Sequence, residues 1–372
     1  MKNTFHIRGF DGLRFIGTVI VLFHHIEWGK MLNDIPSLGA YYAKTGTGQA
    51  AMTMFFVLSG FLIFYLLLNE KTKTGTIAIK SFYKKRIARI WPVYYIFVLA
   101  GILWFSHDQS FSSPAHTITT SDNYIVVFLY LFHLPNFHLF FGGSLLALGH
   151  LWSLGVEEQF YLLCPLIIKK TKNYLKLFLV IIILKVSIKI FVAYCYHFLS
   201  LTPETIVFLG KLGTFLFKLR FEAFAIGGIA AYLFIEKKDA ILNYLYQPKI
   251  QWLNILVLLV TLPFGNKSES LHVLFAVNFA IIIINMTGNG KPLFILDNKY
   301  SNYIGQISYG IYVYQIPIIF FLANVFKSYY SSSNIILWNV SYYLVCIFFP
   351  IITAVISYEL MERKVIKWAR DK

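Results

Sequence analysis

The sequence predicts an all-α integral membrane protein with about ten transmembrane helices and with both termini in the cytoplasm. Three observations lead to this fold class. Of the 372 residues, 58% are hydrophobic and only 13% are charged, which leaves too little polar surface to cover a water-soluble protein of this size. The mean hydropathy is +0.64. Apolar stretches long enough to cross a bilayer, which takes about 20 residues, recur along the whole chain.

The predicted spans are ten apolar stretches. They lie near residues 14–32, 46–69, 91–106, 148–168, 175–199, 212–235, 251–265, 271–287, 303–325 and 335–358. A further apolar run, Tyr124 to Phe141, is interrupted by Pro135, so it is either an eleventh span or an interfacial segment. A full crossing there would place the basic segment Lys169–Lys176 outside. We therefore interpret residues 107–147, which contain no Lys or Arg, as an external segment that dips into the interface.

The distribution of basic residues sets the predicted orientation. The chain has 33 Lys+Arg against 17 Asp+Glu, a net charge of +16. Most of these basic residues fall in loops on one side of the predicted spans, chiefly in residues 70–89 and after residue 358, whereas Lys30 is assigned to the outer face. This asymmetry follows the positive-inside rule for a multi-pass protein of the cytoplasmic membrane. We therefore expect membrane lipids, and no nucleic acid, as partners of the basic surface.

No shift in composition marks an additional domain. The hydrophobic pattern continues to the last predicted span, and no low-complexity linker interrupts it. The expected organisation is a single polytopic membrane domain over residues 1–372, without an appended soluble domain.

The first predicted helix contains several ionisable side chains, which are costly in hydrocarbon and therefore indicate function. At about 100° per residue, Asp11, Arg14 and His25 share one stripe of the helix, with His25 about 16 Å deeper than Arg14. His24 lies about 80° off this direction, although the two histidines would exchange roles if the helix unwound. A histidine near the bilayer midplane is suited to proton transfer. The structural alternative is an interfacial Asp11–Arg14 ion pair with His25 as a hydrogen-bonded core residue.

A second cluster lies in the basic segment 80–92. Arg86 and Arg89 are three residues apart, so on a helix they present two guanidinium groups to one side. This arrangement suits a phosphate-bearing ligand. The lysines of the segment are more simply explained as topology signals that attract anionic lipid.

A third cluster, residues 150–161, places the adjacent carboxylates Glu157 and Glu158 inside an apolar stretch. Adjacent residues point about 100° apart on a helix, so both cannot face one ligand. One of them is expected to act at the site, with Glu158 as the candidate, and the other to pair with a base such as Arg220 or Lys218.

Two further groups of opposite charges are interpreted as structural or interfacial ion pairs, because the charges lie close together in the sequence. The first is Arg220 with Glu222. The second is Glu359 and Glu362 with Arg363.

Short motifs along about 350 residues resemble those of one family. They are Phe10-Asp-Gly-Leu-Arg-Phe-Ile16, Leu22-Phe-His-His25, Phe55-Phe-Val-Leu-Ser-Gly-Phe61, Arg86-Ile-Ala-Arg-Ile-Trp-Pro92, Leu151-Trp-Ser-Leu-Gly-Val-Glu-Glu-Gln-Phe-Tyr161, Arg220-Phe-Glu222, Ile307-Ser-Tyr-Gly-Ile-Tyr312, Ser357-Tyr358 and Glu362-Arg363. Together they resemble the membrane acyltransferase-3 family, the O-acyltransferases that modify surface polysaccharides.

The resemblance implies an integral membrane enzyme that transfers an acyl group, usually acetyl, from cytoplasmic acyl-CoA to a hydroxyl of a cell-surface or lipid-linked glycan. No metal is expected. The family's functional arginine and histidine, eleven residues apart, fall on Arg14 and His25, and its paired arginines fall on Arg86 and Arg89. The chain departs from the family at Gln315, where many members have a histidine, and it lacks the extracytoplasmic hydrolase-like domain that some members append.

The expected mechanism places acetyl-CoA phosphates on Arg86 and Arg89, with Arg14 guiding or polarising the thioester end. His25 acts as general base on the acceptor hydroxyl or itself carries the acyl group. Asp11, Glu157 or Glu158 orients the imidazole or pairs with Arg14. Two other functions remain open. Intramembrane charges also suit a transporter or flippase, although no inverted repeat is visible, and the Gln315 departure is compatible with an acyl-CoA-binding protein that has lost catalysis.

Overall fold

The computed structural model describes most of the chain and is helical throughout the described part. The described residues are 7, 9–38, 45–105, 108, 124–141, 146–265, 270–288, 291–294, 296–330 and 334–371. Within these ranges no strand is present. Much of the predicted external segment, residues 109–123 and 142–145, lies outside them.

Fifteen α-helices are defined in these ranges. They are α1 (Phe10–Leu32), α2 (Thr47–Thr74), α3 (Ile79–Ala100), α4 (Tyr124–Leu131), α5 (His138–Phe141), α6 (Trp152–Lys170), α7 (Tyr174–Phe198), α8 (Pro203–Lys218), α9 (Phe221–Ile235), α10 (Asp239–Leu245), α11 (Pro248–Thr261), α12 (Ser270–Gly288), α13 (Lys299–Lys327), α14 (Ile335–Ser357) and α15 (Arg363–Asp371). Five-residue π-helical turns, Gly101–Phe105 and Tyr358–Glu362, continue α3 and α14.

Seven described helical stretches are long and apolar enough to cross a membrane. They are Thr47–Thr74, Ile79–Phe105, Ala147–Lys170, Tyr174–Phe198, Leu271–Gly288, Lys299–Lys327 and Ile335–Asp371. The other three predicted spans correspond to α1, which carries charged side chains, to α9, and to the shorter apolar helix Pro248–Phe264. All-helical membrane architecture is thus supported, while ten crossings and cytoplasmic termini stay predictions.

The predicted span 212–235 is wrong as a single helix. The chain leaves helical geometry at Leu219 and Arg220, so α8 ends at Lys218 and α9 begins at Phe221. The Arg220 guanidinium explains the break, because it reaches back to the Phe217 carbonyl and across to Gln49. The segment therefore consists of two helices joined at a buried arginine.

Pairs of helices cross closely at glycines, which have no side chain to hold the backbones apart. A Cβ on Gly60 of α2 would overlap the backbone carbonyl of Phe224 in α9, and a Cβ on Gly227 would overlap the Val57 carbonyl. The same holds where α1 meets α13, since a Cβ on Gly305 would overlap the Asp11 carbonyl. Small residues allow this approach in membrane bundles. The Gly305 crossing fixes the N-terminal half of α1 against α13.

The other end of α1 is fixed by a buried ion pair. Glu27 and Lys30 are almost fully buried and lie 2.8 Å apart, Oε1 to Nζ. Lys30 also donates to Asn339 Oδ1 at 2.8 Å, while Tyr343 and the Leu38 backbone N–H donate to Glu27. The ammonium group of Lys30 therefore finds its partners inside the protein, while the assignment of Lys30 to the outer side of the membrane stays a prediction.

The segment around residues 124–141 enters the bundle rather than crossing it. Helix α4 has only eight residues, too few to span a bilayer, which rejects an eleventh crossing. The His133 ring stacks on Tyr94 at 4.0 Å and on Trp91 at 5.4 Å between centroids. Asn136 exchanges hydrogen bonds with Gln159. The segment therefore packs against α3 and α6, while its position at the membrane interface stays a prediction.

Of the two predicted ion-pair groups, one is absent from the described structure and the other is present in part. Arg220 and Glu222 do not pair with each other. Instead, Glu222 lies 3.8 Å from Lys189, whereas Arg220 donates to Gln49, Thr53 and His272. The second prediction is confirmed in part, because Glu359 and Arg363 form an ion pair at 2.7 Å.

Replacement of Gly60 by alanine tests the α2–α9 crossing. The new methyl group meets a backbone carbonyl, which cannot rotate away, so Gly60→Ala is expected to destabilise the fold by about 1–3 kcal/mol. Thermal unfolding of the detergent-solubilised protein measures the effect. Gly213→Ala is the matched control, since its Cβ meets no atom within 4 Å, and a melting temperature equal for both variants would contradict the packing.

Removal of the Lys30 charge tests the buried ion pair. Lys30→Met leaves Glu27 uncompensated in the interior, and a broken buried pair costs about 3–5 kcal/mol. The double variant Glu27→Gln/Lys30→Met removes both charges and is expected to recover most of the lost stability. Unfolding curves of the two variants and the wild type measure this; equal stability of Lys30→Met and wild type would refute the account.

Candidate active site

Arg14 and His25 project from one stripe of α1 at different depths. Arg14 lies 3.2 Å from Asp11, Nη1 to Oδ1, and its guanidinium stands 4.5 Å above the Phe10 ring centroid. His25 follows eleven residues later, about 16 Å further along the helix. Asp11 therefore belongs with Arg14, as one of the predicted alternatives has it.

Arg86 and Arg89 lie on the first turns of α3, in the basic segment that extends the helix beyond its apolar part. The Arg86 guanidinium stands over the rings of Tyr161, at 5.4 Å, and Phe82, at 5.7 Å. Both arginines are half-buried. Neither forms a hydrogen bond or an ion pair with another described residue. Their guanidinium donors are thus available to a ligand.

The bundle brings these two arginines to Arg14. The charges of both act on the Arg14 guanidinium, which places three cations from two helices at one level of the protein. We call Arg14, Arg86 and Arg89 the arginine layer. Three partly buried like charges are unfavourable unless anions compensate them, and both the neighbouring carboxylates and an anionic ligand can do so.

The carboxylates of α6 face the same layer. Glu157 accepts hydrogen bonds from Ser59 at 2.7 Å and from Tyr161 at 3.2 Å. Glu158 Oε2 accepts from the Trp91 indole at 3.4 Å, while its Oε1 has no partner among the described residues. Both carboxylates act electrostatically on Arg86. The suggestion that one pairs with Arg220 or Lys218 is wrong, since the observed partners lie on α2, α3 and α6.

Sequence reasoning misplaced a fourth carboxylate, Glu362. It was interpreted as an ion-pair partner of Arg363, but its side chain is buried and accepts a hydrogen bond from Ser357 at 2.8 Å. Its charge acts on Arg89. The residue lies in the π-helical turn Tyr358–Glu362, and such turns often occur at functional sites. In the sequence, only the family motifs Ser357-Tyr358 and Glu362-Arg363 indicate that Glu362 belongs to the site.

Imidazole rings gather at the level of His25. Its ring centroid lies 5.6 Å from that of His24 and 6.3 Å from that of His150, and the Gln315 amide lies beside it. We call His25, His150 and Gln315 the histidine layer. His24 differs, because its ring packs against Gly48 of α2. The sequence places His150 in the third cluster but does not indicate that it is a site residue, because only helix packing brings it to His25.

A hydrogen-bonded group extends from the histidine layer toward the carboxylates. The Tyr312 hydroxyl bonds to the His150 carbonyl at 2.6 Å and to Ser153 Oγ at 2.7 Å. Ser153 precedes Glu157 by one helical turn of α6. Polar groups therefore connect the two layers through the protein interior.

The two layers offer different chemical groups to a ligand. The arginine layer offers free guanidinium donors to phosphate oxygens, and the histidine layer offers imidazoles for proton or acyl transfer. In the described ranges, no group of three or more His, Cys, Asp or Glu side chains is placed to hold a metal ion.

The chain is similar to proteins that are named as O-acetyltransferases. The chain is 27% identical over 387 residues to O-acetyltransferase OatA of Staphylococcus aureus strain NCTC 8325, an alignment that covers 99% of this chain and 58% of the relative. OatA of strain COL matches with the same values. The chain thus spans less than three fifths of the length of these relatives.

No solved structure gives a significant match. The sequence profile of the family described as acyltransferase domain matches residues 7–358, nearly the whole chain. This range contains both layers and every candidate site residue except Glu362. The chain belongs to the membrane acyltransferase-3 family.

Proposed function

We propose that this protein is a membrane O-acyltransferase. It transfers an acyl group, acetyl in the first instance, from cytoplasmic acyl-CoA to a hydroxyl of a cell-surface or lipid-linked glycan. One observation carries the proposal: in a chain of the acyltransferase-3 family, the Arg86 and Arg89 guanidinium groups form no hydrogen bond or ion pair with another described residue, and His25 lies about 16 Å from Arg14 along the same stripe of α1. The name of the OatA relatives supports acetyl as the group transferred.

The donor binds from the arginine side. Acyl-CoA is a large polyanion, and Arg86 and Arg89 hold its phosphates through charge-assisted hydrogen bonds. The pantetheine arm then runs past Arg14 toward the histidine layer. The basic loop and tail on the predicted cytoplasmic face favour approach of this anion by long-range attraction.

The chemistry takes place at His25. In one route the imidazole removes the proton of the acceptor hydroxyl, whose oxygen attacks the thioester carbonyl; the C–S bond breaks and the thiolate takes the proton. In the other route the imidazole attacks the thioester carbonyl, the C–S bond breaks and the thiolate leaves, which forms an acyl-histidine; the acceptor hydroxyl then takes the acyl group, the C–N bond breaks, and the hydroxyl proton passes to the thiolate. Both routes need an unprotonated imidazole nitrogen, and His25 Nδ1 has no partner among the described residues.

The carboxylates serve the arginine layer rather than His25. Asp11 holds Arg14 by their ion pair. Glu158 accepts a hydrogen bond from Trp91 through one carboxylate oxygen. Its other oxygen is available to acyl-CoA or to a proton. No described hydrogen bond joins a carboxylate to His25, so Gln315 and His150 are its polar neighbours. Membership of the acyltransferase-3 family favours acyl transfer over transport of a substrate across the membrane.

Replacement of His25 tests the function in cells. Glycans are isolated from a strain lacking the gene and from strains complemented with wild type, His25→Ala or His24→Ala, and are analysed by mass spectrometry before and after mild alkali. We expect an alkali-labile acyl mass with wild type and with His24→Ala, and none with the deletion or His25→Ala. Membrane insertion of each variant is verified by immunoblot. Wild-type acylation by His25→Ala would disprove the mechanism.

Replacement of Arg86 or Arg89 by glutamine tests the donor site. A hydrogen bond to a charged group contributes about 1.5–3 kcal/mol, so each variant is expected to raise the KM for acetyl-CoA roughly 10- to 100-fold. The rate with S-acetyl-N-acetylcysteamine, a thioester without phosphates, stays unchanged. Lys85→Gln, an exposed neighbour of the same helix, is the control. Equal losses with both donors would contradict phosphate binding.

A further inference from the structure

His150 is held in one tautomer with a free nitrogen. Its Nε2 lies 3.0 Å from the Val313 carbonyl oxygen, and a carbonyl only accepts hydrogen bonds. The proton of the neutral ring is therefore on Nε2, and Nδ1 carries the lone pair. That Nδ1 is buried and has no hydrogen-bond partner among the described residues, in a residue only 6% exposed.

The surrounding side chains keep this nitrogen in place. The Tyr312 ring packs at 5.2 Å and the Phe97 ring at 5.9 Å from His150, both nearly edge-on. The Tyr312 hydroxyl fixes the adjacent backbone through the His150 carbonyl. These contacts and the bond to the Val313 carbonyl hold the orientation of the ring. A buried acceptor without a protein partner is open to a donor from a ligand or from water.

A second acceptor lies beside the same layer. The Gln315 amide nitrogen donates to the Tyr312 carbonyl at 3.2 Å, which leaves Gln315 Oε1 as a carbonyl oxygen next to the His25 ring. Two acceptors, His150 Nδ1 and Gln315 Oε1, therefore lie beside His25. Such a set repels carboxylates and phosphates and binds a ligand with several hydroxyl donors.

We propose that His150 is a specificity residue of the acceptor site, which deepens the proposed function and rests on it. Nδ1 of His150 accepts a hydrogen bond from a second hydroxyl of the acceptor sugar, next to the hydroxyl that reacts at His25. The site thereby selects acceptors with neighbouring hydroxyl groups. A hydrogen-bonding site rejects an analogue that lacks the hydroxyl, because its buried acceptor is then left unpaired.

Two substitutions test the roles of the two ring nitrogens of His150 independently. His150→Gln keeps an amide N–H near the position of Nε2 for the Val313 carbonyl and removes the acceptor at Nδ1. His150→Asn places an amide oxygen near Nδ1 and gives up the carbonyl contact. Purified wild type and both variants, in nanodiscs with acetyl-CoA, are assayed with methyl pyranosides and with their monodeoxy analogues, and kcat/KM is measured for each.

The expected result is a change of selectivity. Wild type prefers a parent glycoside over the analogue that lacks the neighbouring hydroxyl by at least tenfold. His150→Gln loses this preference because only the parent reacts more slowly, and His150→Asn recovers part of it. The KM for acetyl-CoA is unchanged in both. Equal slowing of parent and analogue by His150→Gln indicates a structural role and overturns the proposal, as does unchanged selectivity.

The same assay separates this inference from the proposed function. If wild type esterifies glycosides from acetyl-CoA without any preference for a neighbouring hydroxyl, the role of His150 is wrong and the acyltransferase assignment stands. If wild type forms no ester with any glycoside or with envelope glycans, the assignment itself fails, and the inference fails with it.

Discussion

The polar side chains of α1 constrain the whole structure, because each must find a partner away from lipid. Near one end, Asp11 and Arg14 pair with each other where Gly305 brings α13 against the helix. Near the other, Glu27 and Lys30 pair and bind Tyr343 and Asn339 of α14. A helix held at both ends keeps His25 at a fixed height between them. The position of the reactive imidazole thus follows from the cost of burying charge.

In the proposed function, the two layers divide the reaction between the acyl donor and the acceptor. At the arginine layer, Arg86 and Arg89 form no hydrogen bond with another residue that the structure describes, whereas the histidine layer offers the acceptor atoms His150 Nδ1 and Gln315 Oε1. A phosphate and a sugar hydroxyl therefore prefer opposite ends of the same buried path. About 16 Å separates them along α1, which an extended pantetheine arm is suited to bridge. Such separation keeps the thioester away from bulk water, which would otherwise hydrolyse it.

Local periodicity made part of the site predictable from the sequence. Arg14 and His25 share a helix, as do Arg86 and Arg89, so 3.6 residues per turn decides which side chains face together. Contacts between helices are not encoded in this way. His150 meets His25 only through packing, Glu362 turns inward at a π-helical turn, and Arg220 leaves its neighbour Glu222 for Gln49. No glycine or proline marks the break at residues 219–220, which explains why the span 212–235 was predicted as one helix.

The central claim, that donor and acceptor reach the reaction from opposite ends, is tested most directly by sidedness. The protein is reconstituted in liposomes, its orientation is determined by protease cleavage of the tail after residue 358, and acetyl-CoA and a glycan acceptor are supplied on chosen sides. Ester is expected only when acetyl-CoA is on the side of the arginine layer, with the acceptor on the other side. Equal ester formation with acetyl-CoA supplied only on the histidine side would contradict the account.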